Sequence, residues 1–261
     1  MDLATQLQTS LSSTTTPVPS LPWLRALTNS TRHPPPPLAS LLATARTRLL
    51  ASDLTAPGLL DAGYAAAHAL PADLARTHAG AREARLPRDV VVQVLDIEDV
   101  ARARWEQVEA LEALARGEGT RGREIVRLPA AAAAAAAGGG GGEGEGGEGG
   151  EEEGVVTGGG SGRAGGRAGG SSCTHKLVVQ DCKGQKVHAI ELRRVERLAV
   201  GKTFIGEKIL LRAGTVIARG VVLLDPAQCV VLGGKVDAWH RAWVDGRLAR
   251  LREAVGADRR E

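Results

Sequence analysis

The sequence predicts a mainly β protein with helices on both sides of its β core. The main observation lies between residues 208 and 236, where two apolar runs, 209–211 and 216–224, are separated by a glycine-containing turn. A third short apolar run follows and stops at two consecutive glycines. β-branched residues dominate these runs, and glycine or proline punctuates each gap, which is typical of strands joined by tight turns.

Strand candidates elsewhere in the chain extend this core. Residues 90–97 form an apolar run that opens with three valines, and residues 176–181 and 186–192 flank a Lys-Gly turn in the manner of a hairpin. Counted together, the segments predict five main strands and a short extra piece near residue 230. Five strands with glycine-rich corners predict a small closed barrel, of which the five-stranded OB-fold barrel is the commonest kind.

The chain divides into segments of different composition around this predicted barrel. Apolar residues at helical spacing predict a small N-terminal helical unit and an amphipathic C-terminal helix that packs beside it. The Ser/Thr-rich start is expected to be disordered, and a loop inserted in the barrel ends in an Ala/Gly/Glu tract with little to bury. The predicted segments are a disordered start at 1–19, the helical unit at 20–86, the barrel at 87–235, its inserted loop at about 103–172 with 129–172 as the low-complexity part, and the C-terminal helix at 236–256.

Composition and motifs exclude several classes of protein. The 261 residues carry a net charge of +3 and no apolar run of membrane-spanning length, which predicts a soluble protein. Three cysteines are too few for a disulfide framework, so a reducing compartment is expected. No paired catalytic base and no phosphate-binding glycine loop is recognisable, so we expect no enzymatic activity and no cofactor.

A zinc site is one alternative that the sequence raises. Its ligands would be Cys173, His175, Cys182 and His188, which lie close together in the chain. Their spacing matches no familiar zinc knuckle or ribbon, and a lone histidine within a strand is more often packed or exposed than a ligand. We therefore expect no bound metal.

Binding of single-stranded DNA is the alternative function that an OB-fold raises. Such sites stack bases on aromatic side chains along a basic groove, but the predicted strands offer only Phe204, just outside a strand. The nearby basic residues could contact phosphate, but a solvated charged face is the favoured explanation for them. These residues are Arg193, Arg194, Arg197, Lys202 and Lys208.

Trp105 lies in a charged segment between two predicted strands. A tryptophan in that position either folds back onto the barrel or engages a partner, and tryptophan is enriched at interface hot spots. The sequence leaves both interpretations open.

Several stretches share their order and spacing with one known family. The closest matches are residues 206–211, 220–226 and 230–236, with 86–87, 93–100, 104–109 and 121–125 before them and 22–24 and 49–54 in the helical unit. Together these stretches resemble the RecQ-mediated genome instability protein family in its short fungal-like form. The tract at 129–172 departs from the family pattern.

The resemblance implies a non-enzymatic subunit of the nuclear complex between a Bloom-type RecQ helicase and a type IA topoisomerase, which dissolves double Holliday junctions. It implies that the barrel docks on the topoisomerase, that the inserted loop reaches the topoisomerase gate and promotes decatenation, and that DNA is contacted mainly through the complex. Lys208 matches a position important for partner contact, and its ammonium is expected at the surface. In the insertion, the expected partner-contact residues are Arg102, Arg104, Trp105, Glu106 and Glu109.

Overall fold

The computed structural model describes residues 2–29, 36–117 and 174–258. The chain divides into two compact units, Met1–Glu112 together with Ser171–Glu261, and Ala113–Gly170. In the second unit the described part is a short stretch that contains the end of one helix. The low-complexity tract predicted at 129–172 and the cysteine at position 173 lie outside the described residues.

Five helices precede the main strands, and the first three share a small core of their own. Their bounds are α1 (Leu3–Ser12), α2 (Leu21–Asn29), α3 (Leu38–Leu50), α4 (Ala62–Ala67) and α5 (Leu74–Thr77). Leu7, Leu24 and Leu41 are buried together where α1, α2 and α3 meet. The predicted N-terminal helices are therefore confirmed.

The prediction of disorder for residues 1–19 is wrong for most of that segment. Leu3–Ser12 form α1, in which Ala4, Leu7 and Leu11 are 1%, 0% and 3% exposed. Their spacing of three and four residues places them on one face of a helix, and that face packs on α2 and α3. The polar composition of the segment hides a periodicity that is enough to order it.

One sheet of eight strands contains all the strands in the described residues. The strands are β1 (Ala84–Arg85), β2 (Val90–Asp99), β3 (His175–Gln180), β4 (Lys186–Glu191), β5 (Lys208–Leu211), β6 (Val216–Ala218), β7 (Val221–Leu224) and β8 (Cys229–Gly233). Their order is β1-β6-β7-β4-β3-β2-β5-β8, and the pairing is antiparallel except between β4 and β7. The long strand β2 pairs with both β3 and β5, so the segment that follows β2 in sequence leaves from the middle of the sheet.

The strand count exceeds the five main strands and the short piece near residue 230 that were predicted, because one apolar run folds back on itself and β1 is added. Residues 216–224 contain the hairpin of β6 and β7, and its turn residues Arg219 and Gly220 have φ angles of 48° and 79°. Two successive positive φ angles are the geometry of a type I′ turn, which favours Asn-Gly or Gly-Gly and does not normally begin with arginine. A charged residue and a glycine interrupt the apolar run at this turn, and the two-residue β1 pairs with β6 as a further addition.

Gly220 offers a stability test of this hairpin. A Cβ atom at Gly220 would lie 2.5 Å from the backbone oxygen of Ala75, whereas Gly201, with a φ of 88°, has no heavy atom within 4 Å of that position. We expect Gly220→Ala to lower the free energy of unfolding by about 2–3 kcal/mol and the control Gly201→Ala by about 1 kcal/mol. Urea unfolding of both variants measures this, and equal losses would show that the contact with Ala75 does not constrain the hairpin.

Helix α6 (Arg104–Ala115) lies between β2 and β3, and the C-terminal helix α7 (Asp237–Asp258) follows β8. The predicted C-terminal helix is therefore confirmed, but it packs elsewhere than predicted. Its tryptophans Trp239 and Trp243 lie against the main core, which is formed by buried strand residues such as Val92, Leu177 and Ile209. The prediction placed this helix beside the N-terminal helical unit. None of the described helices combines the length and apolar character that crossing a lipid bilayer requires.

Candidate protein-interaction site

The inserted loop leaves the sheet and returns to it at adjacent positions. Asp99 ends β2, His175 begins β3, and the two residues are register partners. One step further out, the Val100 N–H donates to the Thr174 carbonyl at 2.9 Å. An antiparallel pair therefore holds both ends of the insertion, and its first described element is positioned by the sheet.

Gln107 fixes the bend between β2 and that element, the helix α6 (Arg104–Ala115). Its side chain is buried, and Nε2 donates to the carbonyls of Asp99 and Arg102 at 2.9 and 3.1 Å. Its Oε1 accepts from the Arg247 guanidinium of α7 at 3.3 Å. A buried amide with all of these partners stabilises one orientation of α6, because any other would leave polar groups unpaired.

A buried charged cluster fixes the return end of the insertion. The Glu191 carboxylate accepts from the backbone N–H groups of His175 and Val195 at 2.8 and 2.9 Å, and from Arg194 at 3.1 Å. His175 Nδ1 lies 2.7 Å from the same carboxylate. A buried carboxylate is stabilised by such a combination of cationic and backbone donors. His175 thus has a structural partner, and within the described ranges no group of three or more His, Cys, Asp or Glu residues could hold a metal ion.

Helix α7 also contacts the C-terminal half of α6. The Arg252 guanidinium donates to Glu112 Oε1 at 2.7 and 3.1 Å. Beside this ion pair, a groove of about 250 Å³ is lined by Trp105, Val108, Glu109, Arg252 and Val255. The groove combines apolar side chains with one acid and one base at its rim, as protein-binding surfaces do.

Five of the six predicted site residues lie together at this helix. Arg102, Glu106 and Glu109 are exposed, and the Trp105 side chain is 52% exposed on the wall of the groove. Trp105 is therefore not part of the core, and its covered part lines the groove together with Arg252 and Val255 of α7. Arg104 differs from its neighbours, because its Nε donates to Glu98 at 2.8 Å and helps to hold the base of α6.

The sixth residue, Lys208, is placed wrongly by the prediction. Its side chain is 0% exposed, and its Nζ donates to the carbonyls of Ser52 and Gly206, both at 2.6 Å. The apolar strand context suggested a surface ammonium, but β5 runs beneath the segment that follows α3. A fully buried ammonium cannot reach a partner in this conformation, so any effect of Lys208 on binding must act through the segment that it holds.

A second buried side chain, Gln93, attaches the same segment to β2. Its Oε1 accepts from the Leu54 N–H at 2.9 Å, and its Nε2 donates to Asp53 and Gln180 at 2.7 and 3.1 Å. Partial burial raises the pKa of Asp53, but hydrogen bonds from Gln93 and Thr55 outweigh it and hold the pKa below its usual value. Gln93 and Lys208 thus form a polar junction between the helices and the sheet. In the sequence, this junction is indicated only by the polar residue Gln93 within the apolar strand β2.

The buried ammonium makes stability depend on pH. Burial lowers the pKa of Lys208 to about 8, with partial compensation from Asp53, whereas the unfolded chain keeps a value of 10.5. Between these values the unfolded state binds the proton more tightly, so the stability of the folded protein rises with pH. In urea unfolding, the free energy of unfolding of the wild-type protein relative to that of Lys208→Met is expected to rise by about 1–2 kcal/mol from about pH 7.5 to about pH 9.5. If the free energies of unfolding of the two proteins change in parallel with pH, Lys208 is not the buried group that causes the pH dependence.

Most of the basic residues considered for nucleic-acid contact are engaged within the protein. Arg194 is held by Glu191, Arg197 donates to the Val231 carbonyl at 2.9 Å, and Lys208 is buried. Arg193 lies 3.5 Å from Asp225, and Lys202 is exposed. Phe204, 43% exposed, makes an edge contact with His240 and lies beneath the Lys235 ammonium. Lys208 is therefore unavailable for nucleic-acid contact and Phe204 is partly covered, whereas Arg193, Arg197 and Lys202 remain exposed.

These features define an OB-fold protein with N-terminal helices whose most accessible candidate surface is a helix inserted between two strands. Residues 70–247 match the family model described as RMI1, N-terminal OB-fold domain, and residues 11–57 match RMI1, N-terminal helical domain. Since the first match covers well over half of the 261 residues, the chain belongs to the RMI1 family.

A curated relative agrees with this assignment. RecQ-mediated genome instability protein 1 of Schizosaccharomyces pombe is 29% identical over 73 residues, which is 28% of this chain and 30% of that protein. The aligned part thus spans less than a third of the relative's length. The resemblance inferred from the sequence is confirmed at the level of the family.

Proposed function

We propose that this chain is a non-catalytic regulatory subunit in genome maintenance that binds a type IA topoisomerase and a Bloom-type RecQ helicase in the nucleus. It would stabilise their complex, promote decatenation and assist the dissolution of double Holliday junctions. Membership of the RMI1 family and the name of the Schizosaccharomyces pombe relative, which refers to RecQ-mediated genome instability, support this role. DNA would be contacted mainly through the complex.

The observation that carries the proposal is the exposed start of α6 at the root of the insertion. Trp105 with its charged neighbours is accessible, while Gln107, Arg104 and the contacts with α7 hold the helix in place. A rigidly held helix with an exposed tryptophan costs little conformational entropy when it binds a protein partner. Such an element can bias a topoisomerase between gate conformations if it binds one conformation better than the other.

The alternative function, autonomous binding of single-stranded DNA, has weaker support. It needs free basic side chains and aromatic faces, yet Arg194 is paired with Glu191, Lys208 is buried and Phe204 contacts His240. A titration of the purified chain with a labelled oligothymidylate at low and physiological salt separates the two functions. The proposed scaffold binds weakly at both salt concentrations, whereas an autonomous single-strand binder shows tight, strongly salt-dependent affinity.

Decatenation with purified components tests the proposed function. Interlinked DNA circles are incubated with the chain alone, with a type IA topoisomerase alone, and with both. We expect no product with the chain alone and a faster reaction with both proteins than with the topoisomerase alone. Unchanged decatenation at saturating amounts of the chain would rule out the regulatory role.

A further inference from the structure

A second cavity lies on the other side of the contact between α6 and α7. It measures about 190 Å³ and is walled by the end of β2, the start of α6 and the middle of α7. Ile97 and Leu251 contribute apolar side chains to its lining. The charged or aromatic residues of the lining are Asp96, Glu98, Arg104, Trp243, Arg247 and Arg250. The volume suits one small charged group with an apolar neighbour.

Two arginines of α7, Arg247 and Arg250, supply positive charge to this cavity. Arg247 and Arg250 lie with their guanidinium carbons 5.5 and 5.8 Å from the centre of the Trp243 ring. Arg247 donates to Gln107, and Arg250 donates to the Trp243 carbonyl. Within the ranges that the structure describes, neither forms an ion pair with Asp or Glu. Burial lowers the pKa of Arg247, and the charges of Arg250 and Arg102 lower it further, although Asp96 and Asp99 oppose this.

The acidic residues of the cavity are already engaged. Asp96 Oδ1 accepts from the Trp243 indole N–H at 2.6 Å and from the Ile97 N–H at 2.9 Å. Glu98 is paired with Arg104 at 2.8 Å. Asp96 keeps its negative charge and partly offsets that of Arg247, but within the described residues neither guanidinium group forms an ion pair with a carboxylate. An entering anion would relieve the mutual repulsion of the two guanidinium groups.

Gly246 lies next to the second of these guanidinium groups. A Cβ atom on Gly246 would lie 2.7 Å from Nη1 of Arg250, so the glycine leaves room for the arginine to lie along the helix. Glycine in the middle of a helix costs about 0.5–1 kcal/mol relative to alanine. The placement of Arg250 is a structural reason for this glycine within α7.

We propose that the cavity bounded by Arg247, Arg250 and Trp243 binds an aspartate or glutamate side chain from an acidic peptide segment of a protein partner. The two guanidinium groups would donate to the carboxylate, and Leu251 with Ile97 would contact an apolar residue next to it. The nearby carboxylates of Asp96 and Glu98 favour a single carboxylate over a doubly charged phosphate or an extended nucleic-acid backbone, because each added negative charge is repelled. This proposal does not depend on which protein the partner is.

The test uses the full chain and a fluorescein-labelled peptide of alternating leucine and glutamate, followed by fluorescence anisotropy at about 0.15 M salt. We expect Arg247→Gln with Arg250→Gln to weaken binding by about tenfold or more. The control Arg241→Gln, an exposed arginine on the same helix that does not line the cavity, should change affinity by less than about twofold. Gly246→Ala should also weaken binding while the melting temperature is maintained or raised, since it displaces Arg250 and favours the helix.

Each outcome decides the question. Selective loss in the double variant and in Gly246→Ala, with Arg241→Gln unaffected, supports the site. Equal losses in all variants would show non-specific attraction to a basic helix, and the absence of saturable peptide binding by the wild-type chain would overturn the proposal outright. Tighter binding of a labelled oligothymidylate than of the peptide would assign the two arginines to nucleic acid instead. Melting temperatures of every variant confirm that the compared proteins are folded.

Discussion

Replacing Lys208 by alanine is expected to lower the free energy of unfolding by about 3–5 kcal/mol. The substitution leaves a cavity in place of a fully buried side chain and removes the donor for the carbonyls of Ser52 and Gly206. A loss of this size is a large fraction of the stability of a typical domain. Urea unfolding of the purified variant measures it directly.

Two further variants separate the causes of this loss. Lys202→Ala removes an exposed lysine and should cost less than about 0.5 kcal/mol. Lys208→Met fills the space of the lysine stem without a donor, so it should recover part of the loss and leave about 1–3 kcal/mol for the unpaired carbonyls. If Lys208→Ala is as stable as Lys202→Ala, the Lys208 ammonium is not buried but lies at the surface, as the sequence predicts. Partner binding by Lys208→Ala should be compared with partner binding by Lys208→Met at temperatures where both variants are folded.

The second large effect is expected at the start of α6. Trp105→Ala combined with Arg102→Glu should reduce the stimulation of decatenation by about fivefold or more, because both exposed side chains would be lost from the proposed gate contact. The affinity for the topoisomerase should change by less than about threefold, since the family resemblance implies that the barrel docks on the topoisomerase. Arg104 is left intact in this variant, because a charge reversal there would face Glu98 and disturb the base of the helix.

Binding and decatenation are measured on the same preparation of this variant. Parallel loss of both would show that the segment is simply part of the docking surface. Loss of neither would mean that Trp105 serves only to line the groove beside Val108 and Val255. As a control, Arg241→Glu reverses an exposed charge on α7 and should leave both measurements unchanged.

The sequence predicts the parts of the fold that repeat a simple pattern. Apolar runs identify the strands, including β2 with its three valines, and helical spacing identifies α3 and α7. Two errors arise where a pattern is short or interrupted. The Arg219-Gly220 turn divides one apolar run into two strands, and α1 is concealed by its polar composition.

The candidate site could be predicted only in part, for a different physical reason. Trp105 and its neighbours are local in sequence, so one helix brings them together. The helix is held by two contacts, Gln107 with Arg247 and Glu112 with Arg252, and each joins residues that are 140 positions apart. The spacing of apolar residues in the sequence does not predict such distant pairs. Lys208 was misplaced because its burial depends on the chain that follows α3, which packs over β5 only in the folded protein.

Equilibrium binding of the purified chain to a type IA topoisomerase, beside binding to a labelled oligothymidylate, tests the proposed role most directly. Both are measured at physiological salt, where non-specific attraction to DNA is largely screened. We expect an equimolar complex with the topoisomerase at an affinity at least about a hundredfold above that for the oligonucleotide. Tight binding to the oligonucleotide with none to the topoisomerase would contradict the scaffold role and favour an autonomous DNA-binding protein.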